Sequence, residues 1–300
     1  MKLSVAICTR NPRTDYLDRV LHALSRQTLP RDDWELLLID SASEPRLTDV
    51  GAGRFGLACT IIRLDLSGIQ RARLAAIAAA SAPVLLFLDD DNVPAPDYLA
   101  QGMSLAAHWP MLGCWGPAVI APECEEPPGP QIAAQLGRMA CCDFASDRWS
   151  NTLDVVPPTA GLFIRLECAR AYAAFAARDA RRQLLGSSAE RFFRGEDTDL
   201  VFHIVHNGRG AGQFRSLRLV HLMPAQRLSD DYVVQLAKVA AGSAVVVNHL
   251  WGVSPRRESR LDHLVYRLKS FRFRGLDRRI AEAHRAGEAE ARILIASVKP

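Results

Sequence analysis

The run Val84-Leu85-Leu86-Phe87-Leu88 opens directly into Asp89-Asp90-Asp91-Asn92. Five apolar residues bounded by turn-formers describe a strand buried on both faces, as in a parallel sheet covered by helices. Open α/β sheets bind ligands in the loops at the C-terminal ends of such strands. Adjacent carboxylates repel one another, so folding alone gives no reason to cluster three of them there. A hard divalent cation, Mg²⁺ or Mn²⁺, does, because it takes carboxylate oxygens and bridges to phosphates. The structural alternative is a solvated acidic turn.

The surrounding pattern agrees with that strand. Leu3 to Cys8 is strand-like, and Tyr16, Leu17, Val20, Leu21 and Leu24 follow at helical spacing. Glu35 to Ile39 and Cys59 to Leu64 predict two further strands. Ser67-Gly68-Ile69-Gln70 has the form of a capping box ahead of an Ala-rich helix reaching about Ala80. Beyond Val84–Leu88 a helix is predicted near Asp97 to His108 and a strand over Leu112 to Ile120. Residues 121–130, with four prolines, read as a loop. Gly161 to Ala177 reads as strand then helix. A second acidic segment, Gly195 to Asp199, opens a helix reaching His206, and a short strand leads to His221. From Ser229 onward the pattern is helical. This alternation predicts an α/β fold, a mostly parallel sheet flanked by helices with a helical C-terminal extension. The expected division is a domain over 1–225 and an extension over 226–300.

Length and composition limit the function classes. The 300 residues suit one large α/β domain with an accessory piece, and 49% hydrophobic content with mean hydropathy near zero describes a soluble globular chain. The longest mostly apolar stretch, Leu74 to Leu88, contains Ser81 and Pro83 and falls short of the roughly 20 residues of a membrane span. The N-terminus enters a strand directly, without the pattern of a signal peptide. Seven cysteines with no C-x-x-C pair argue against a zinc ribbon or a disulfide framework, and a reducing cytoplasm is expected.

Charge is uneven. The net +4 hides ten Arg or Lys against four acids between Trp251 and Arg285. There Tyr266, Leu268, Phe271 and Phe273 interleave with Arg267, Lys269, Arg272 and Arg274, a composition suited to peripheral contact with an anionic membrane. A solvated or packed helical face is the alternative, and no nucleic-acid partner is expected.

Taken together, the motifs resemble family-2 glycosyltransferases, over about residues 3 to 225. Cys8-Thr9-Arg10-Asn11 looks like the family's opening strand and nucleotide-contacting loop, and Asp40-Ser41-Ala42-Ser43 is similar to its strand-ending base-contacting motif. Gly68-Ile69-Gln70-Arg71-Ala72-Arg73 resembles the helix start facing the nucleotide. Asp89-Asp90-Asp91 is similar to the D-x-D element. Gly195-Glu196-Asp197 looks like the acidic pair carrying the catalytic base, and His221 stands where many members place a metal or phosphate ligand. Leu74 stands where the family usually has Asn, and the polymerase signature is missing, so processive synthesis is not expected. The resemblance implies a GT-A fold, a nucleotide-sugar donor, a saccharide or lipid-linked acceptor, and inversion at the transferred carbon.

The chemistry assigns roles within that frame. Expulsion of a diphosphate concentrates negative charge that a Mn²⁺ or Mg²⁺ ion would neutralise. In an extended segment residues i and i+2 point the same way, so Asp89 and Asp91 can serve ribose and metal. Asp91 is the first choice as metal ligand, with His221 beside it, and Thr9, Arg10, Asn11, Asp40, Arg71, Asp89 and Asp90 form the expected donor set. Arg73 shares with Arg71 the option of forking onto phosphate. The acceptor hydroxyl needs a base, assigned to Asp197 with Glu196 beside it, while Asp199 should face away. Gly161, in Pro158-Thr159-Ala160-Gly161, is expected beside the acceptor. Trp109, Trp115 and Trp149 could stack on sugar rings, although packing is the default for each. Each residue also has a bland reading: caps for Asp40, first-turn helix stabilisation for Glu196 and Asp197, a structural imidazole for His221, surface charge for Arg71.

Three rivals fit parts of the pattern. Asp89-Asp90-Asp91-Asn92-Val93 also resembles the start of a haloacid-dehalogenase-like phosphatase, but no Lys lies between Asp91 and Asp197. A nucleotidyltransferase should carry a Gly-rich loop after the first strand, and Thr9 to Thr14 has no Gly. A non-catalytic nucleotide-sugar or glycan binding module would have no need of Asp40, Asp91 and Asp197 together.

Overall fold

The computed structural model describes residues 1–179, 181–182, 185–186, 194–253 and 273–297. Strands β1 (Leu3–Thr9), β2 (Trp34–Ser41), β3 (Thr60–Leu64) and β4 (Val84–Leu88) pair in parallel in the order β3-β2-β1-β4. Side chains alternate across them. Val84, Leu86 and Leu88 join Leu3, Val5 and Ile7 in the core under α1 (Thr14–Ser25), whereas Leu85 and Phe87 join Ala6 in the core under α2 (Ile69–Ala79). Two covered faces explain why β4 reads as an uninterrupted apolar run.

The chain continues through β5 (Asn92–Pro94), α3 (Tyr98–His108), β6 (Leu112–Cys124), α4 (Pro130–Ala133), β7 (Cys142–Asp143) and β8 (Arg148–Ser150). Then come β9 (Leu162–Arg165), α5 (Leu166–Ala176), α6 (Glu196–His206), β10 (Gly210–Met223), α7 (Asp230–Leu250) and α8 (Gly275–Ser297). The sheet runs β3-β2-β1-β4-β9-β6-β10-β5, parallel in four of its seven neighbour pairs. The antiparallel pairs are β9 with β4 and with β6, and β5 with β10.

Three local expectations are corrected. β6 runs through the predicted proline loop as far as Cys124, because its outer half pairs with β10 up to Met223 opposite Cys124. The short strand before His221 is a 14-residue strand. The capping box at Ser67 does not form: the residue ahead of α2 is Gly68 and no side chain caps the helix. Gln70 instead donates to Tyr172 Oη at 2.9 Å, tying α2 to α5.

After β10, α7 opens on Ser229, whose hydroxyl accepts from Tyr232 N–H at 3.3 Å. By length and composition α7 could cross a membrane, but half of its apolar stretch is buried inside the protein. Val246 and Val247 pack with Leu185 and Ala291, while Val233, Leu236 and Ala237 pack with Ile132, Met139, Leu276 and Ile280. Lys238 also pairs with Glu290 across the two last helices, at 2.6 Å. These are the surroundings of a core helix. Most of the basic, aromatic C-terminal segment, including Tyr266, Arg267, Leu268, Lys269, Phe271 and Arg272, lies outside the described residues.

Candidate active site

Register brings the first carboxylates to one edge. Thr9 lies opposite Asp40, and Ile7 opposite Leu88, so β1, β2 and β4 end together with Asp89-Asp90-Asp91 just beyond. Thr9 donates its hydroxyl to Asp90 Oδ2. Burial pushes the Asp90 carboxyl up to about 6, against that hydrogen bond and with help from the charges of Asp91 and Asp89. Asp89 is also pushed upward, by burial and then by Asp91, while Arg73, His221 and Arg227 oppose. Neither group has a salt-bridge partner among the described residues.

Asp91 is different. Burial works against its ionisation, but His221, Arg227 and Asn92 outweigh that and hold it below the usual carboxylate range. Asn92 Nδ2 donates to Oδ1 at 2.6 Å. The Oδ2 atom lies 3.4 Å from His221 Nε2 and 3.0 Å from Arg227 Nη1, and Arg227 is 3.2 Å from the same imidazole nitrogen. The cause is the small β5–β10 ladder, which sets Asn92 opposite His221. Leu222 N–H then bonds Asp91 O at 2.8 Å. Arg227, in the turn Ala225–Leu228, comes from beyond the boundary at 225 and reaches back into the site. No spacing in the sequence signals it.

The second acidic cluster stands at the start of α6. Gly195 has φ +116°, a conformation that favours glycine, and its N–H donates to Glu196 Oε2 at 3.0 Å. Glu196 is buried and receives Arg73 Nη1 at 2.5 Å, while Arg73 Nη2 donates to Thr159 Oγ1 at 2.6 Å. Burial pushes the Glu196 carboxyl up, Arg73 opposes, and Asp197 adds to the rise. The charge of Arg73 also acts on Asp89 and Asp197. One buried guanidinium therefore joins the end of β4 to the start of α6.

Helical geometry separates the remaining candidates. Arg71 lies on the exposed side of α2 and donates to Ser67 O at 3.0 Å, so Arg73 and not Arg71 faces the carboxylates. Asp197 stays partly exposed, with Oδ1 accepting from Thr198 N–H at 2.7 Å. Asp199 is fully buried on the other side, taking Tyr172 Oη at 3.0 Å, Trp251 Nε1 at 2.7 Å and a short bond from Arg182. It faces away as expected.

Asp40 is spent on its own loop. Oδ1 accepts from Ser43 N–H at 2.9 Å, and Oδ2 from Leu47 N–H at 3.2 Å and Arg63 Nη1 at 2.7 Å. Burial opposes ionisation there, but these bonds win and keep the carboxyl below its ordinary value. Asn11, at φ +50°, donates its N–H to Ser43 Oγ and accepts from Glu44 N–H, both at 2.8 Å. It thus ties the first loop to the second, while Arg10 is exposed beside it. Gly161 is required by packing. Its φ is +73° and a Cβ would stand 2.3 Å from Tyr98 Oη, which bonds Gly161 O at 2.5 Å. Trp115 is a buried core residue, and Trp149 is 51% exposed with its ring 5.3 Å from Trp109.

The donor chemistry suits a hard divalent cation. Asp89 and Asp91 offer oxygens and His221 a nitrogen, and the buried Nδ1 of His221 and Oδ1 of Asn92 have no hydrogen-bond partner. Yet among the described residues no three such side chains stand ready-assembled around one point. Arg227 occupies the oxygen that Asp91 and His221 would share.

Comparison with known proteins agrees with this fold. The sequence profile of Glycosyl transferase family 2 matches residues 4–130. The mannosyltransferase PcManGT from Pyrobaculum calidifontis, solved with GDP-Man and Mn²⁺, aligns at TM-score 0.56 and 18% identity, covering 99% of this chain and 79% of its own. S. aureus TarS 1-349 with UDP-GlcNAc aligns at TM-score 0.53 and 16% identity, over 82% of this chain and 67% of TarS. A second structure of TarS 1-349 aligns at 0.51 and 14% identity, over 97% and 89%. At these identities the likeness concerns the fold. No curated protein sequence matches the chain significantly. From β1 to the end of β6, then, residues 4–130 carry the profile of Glycosyl transferase family 2, and the chain as a whole has a GT-A-like α/β fold.

Proposed function

We propose that this glycosyltransferase moves a sugar from a nucleotide-sugar donor to an acceptor hydroxyl in a single displacement. The observation that carries the reading is Arg73, one buried cation set between the β4 carboxylates and the α6 acidic pair. Such an arrangement serves a reaction in which a diphosphate leaves on one side while a hydroxyl is deprotonated on the other. Donors of this class are bound by the two fold neighbours solved with UDP-GlcNAc and GDP-Man.

Asp197 is the base. It is the acidic residue at the α6 start that combines partial exposure with proximity to Arg73, whereas Glu196 is buried in an ion pair. Asp197 takes the proton from the acceptor hydroxyl, whose oxygen bonds to the sugar's anomeric carbon. The bond from that carbon to the diphosphate oxygen breaks, and the electron pair leaves with the nucleoside diphosphate. Glu196 holds Arg73 in place from behind. Asp91, with Asp89 and His221, would hold a divalent cation. When bound, that ion supplies Lewis-acid neutralisation of the phosphates, as the Mn²⁺ complex of PcManGT suggests. Thr9 keeps Asp90 oriented, and the Asn11–Ser43 tie shapes the nucleotide side of the cleft.

The test separates binding from chemistry. Asp197→Asn is expected to bind UDP or GDP with Mn²⁺ at near wild-type affinity in calorimetry while transfer falls by roughly 10²-fold or more. EDTA is expected to abolish transfer in the wild type. Loss of nucleotide binding in Asp197→Asn would make the carboxylate a binding residue, and full turnover in EDTA would remove the metal from the mechanism.

A further inference from the structure

Arg227 stands on the atom that a metal needs. Asp91 has two oxygens, and Oδ1 is engaged by Asn92 at 2.6 Å. Oδ2 faces His221 at 3.4 Å and carries the Arg227 guanidinium at 3.0 Å. A divalent ion shared by Asp91 and His221 must approach Oδ2, where it would meet a fixed positive charge a few ångströms away. Like charges at that distance repel strongly in a partly buried site. Cation and guanidinium therefore exclude one another.

The surroundings show which of them gives way. The Arg227 side chain is 35% exposed, against 13% for Asp91, and it hangs from the four-residue turn Ala225–Leu228. It can withdraw without disturbing a strand or a helix. Withdrawal leaves a guanidinium at the rim of a site holding Asp89, Asp90 and Asp91. A donor diphosphate would supply the anion to receive it there, and Arg forks onto phosphate oxygens in bidentate geometry. Arg73 cannot exchange in this way, because Glu196 and Thr159 hold both of its terminal nitrogens in the core.

We infer that Arg227 is a positioning residue that couples metal loading to donor loading. In the donor-free protein it neutralises Asp91 and competes with the divalent cation; when a nucleoside diphosphate enters, it moves onto the phosphates and releases Oδ2. Metal and nucleotide then raise each other's affinity by the same factor, as linkage requires. This inference rests on the proposed function and adds an order of events to it.

Mn²⁺ binding measured by electron paramagnetic resonance or calorimetry, with no turnover involved, tests it. Wild-type protein is expected to bind Mn²⁺ alone weakly and at least 10-fold more tightly with saturating UDP or GDP. Arg227→Gln is expected to bind Mn²⁺ alone about 10-fold more tightly than wild type and to lose most of the coupling. Arg227→Lys, which keeps the charge and loses the fork, is expected to stay near wild type for Mn²⁺ alone while binding the nucleotide less tightly. Unchanged or weaker binding of Mn²⁺ alone by Arg227→Gln, with wild-type coupling intact, would overturn the role of Arg227 and leave the proposed function standing. A wild-type protein that binds neither Mn²⁺ nor either nucleotide would overturn both.

Discussion

Asp90 shows how far a single residue's environment departs from its sequence context. Its ordinary value is 3.8 and burial lifts it to about 6, so the folded protein holds this proton more tightly than the unfolded chain. A raised carboxyl favours folding at low pH, and that advantage is lost as pH climbs from about 4 through 6. Above that interval the buried, unneutralised charge is a standing cost, about 1–2 kcal/mol after allowance for its partial exposure. Asp90→Asn can still accept the Thr9 hydroxyl through its amide oxygen. In metal-free buffer its Tm is therefore expected to exceed that of wild type at pH 7.5, with the gap closing below pH 5. Equal gaps at both pH values, read by thermal unfolding, would contradict this account. The three aspartates were visible as a cluster; which of them lacks a cation was not, because Arg227 approaches Asp91 across 136 residues of chain.

Among elements, the decisive junction is between α6 and α7. Gly195 precedes the acidic pair at φ +116°, and a Cβ there would lie 2.9 Å from Val247 Cγ2 and 3.6 Å from Ser243 Cβ. Ser243 also accepts from Arg194 N–H at 2.8 Å. Helix α7 thus forms the wall against which the Gly195-Glu196-Asp197 motif is set. Gly195→Ala should cost about 1–3 kcal/mol through backbone strain. It should also shift Asp197, lowering kcat more than it lowers donor affinity. A variant with wild-type Tm and kcat would show that the junction tolerates movement. The helix at Glu196–His206 was readable from its pattern, as were β1, β2, β4 and α3 to within a residue or two. The length of β10 was not, because its pairing with β6 decides where it ends.

At the level of the whole molecule, the division at residue 225 takes on a physical meaning. Truncation there would remove Arg227 and uncover Met223, Ile132 and Met139, which pack with Val233, Leu236 and Ile280, together with the Leu185 face that packs on Val246 and Val247. A chain of residues 1–225 is expected to aggregate or to melt well below the full-length protein, and to show no Mn²⁺-nucleotide coupling. A soluble fragment with full-length Tm and coupling, by calorimetry, would establish the extension as a separate accessory. Local pattern alone determined the α/β class, the carboxylates at the end of β4, the acidic start of α6 and the turning of Asp199 away from the site. These follow from strand alternation and helical spacing, which involve residues a few positions apart. Tertiary structure alone decided that Arg73 and not Arg71 faces the site, that Asp40 is consumed by its own loop, and that Arg227 lies on Asp91. Each depends on what a distant segment presents: Glu196 of α6 to Arg73, Arg63 of β3 to Asp40, and the β5–β10 ladder with the turn beyond it to Asp91.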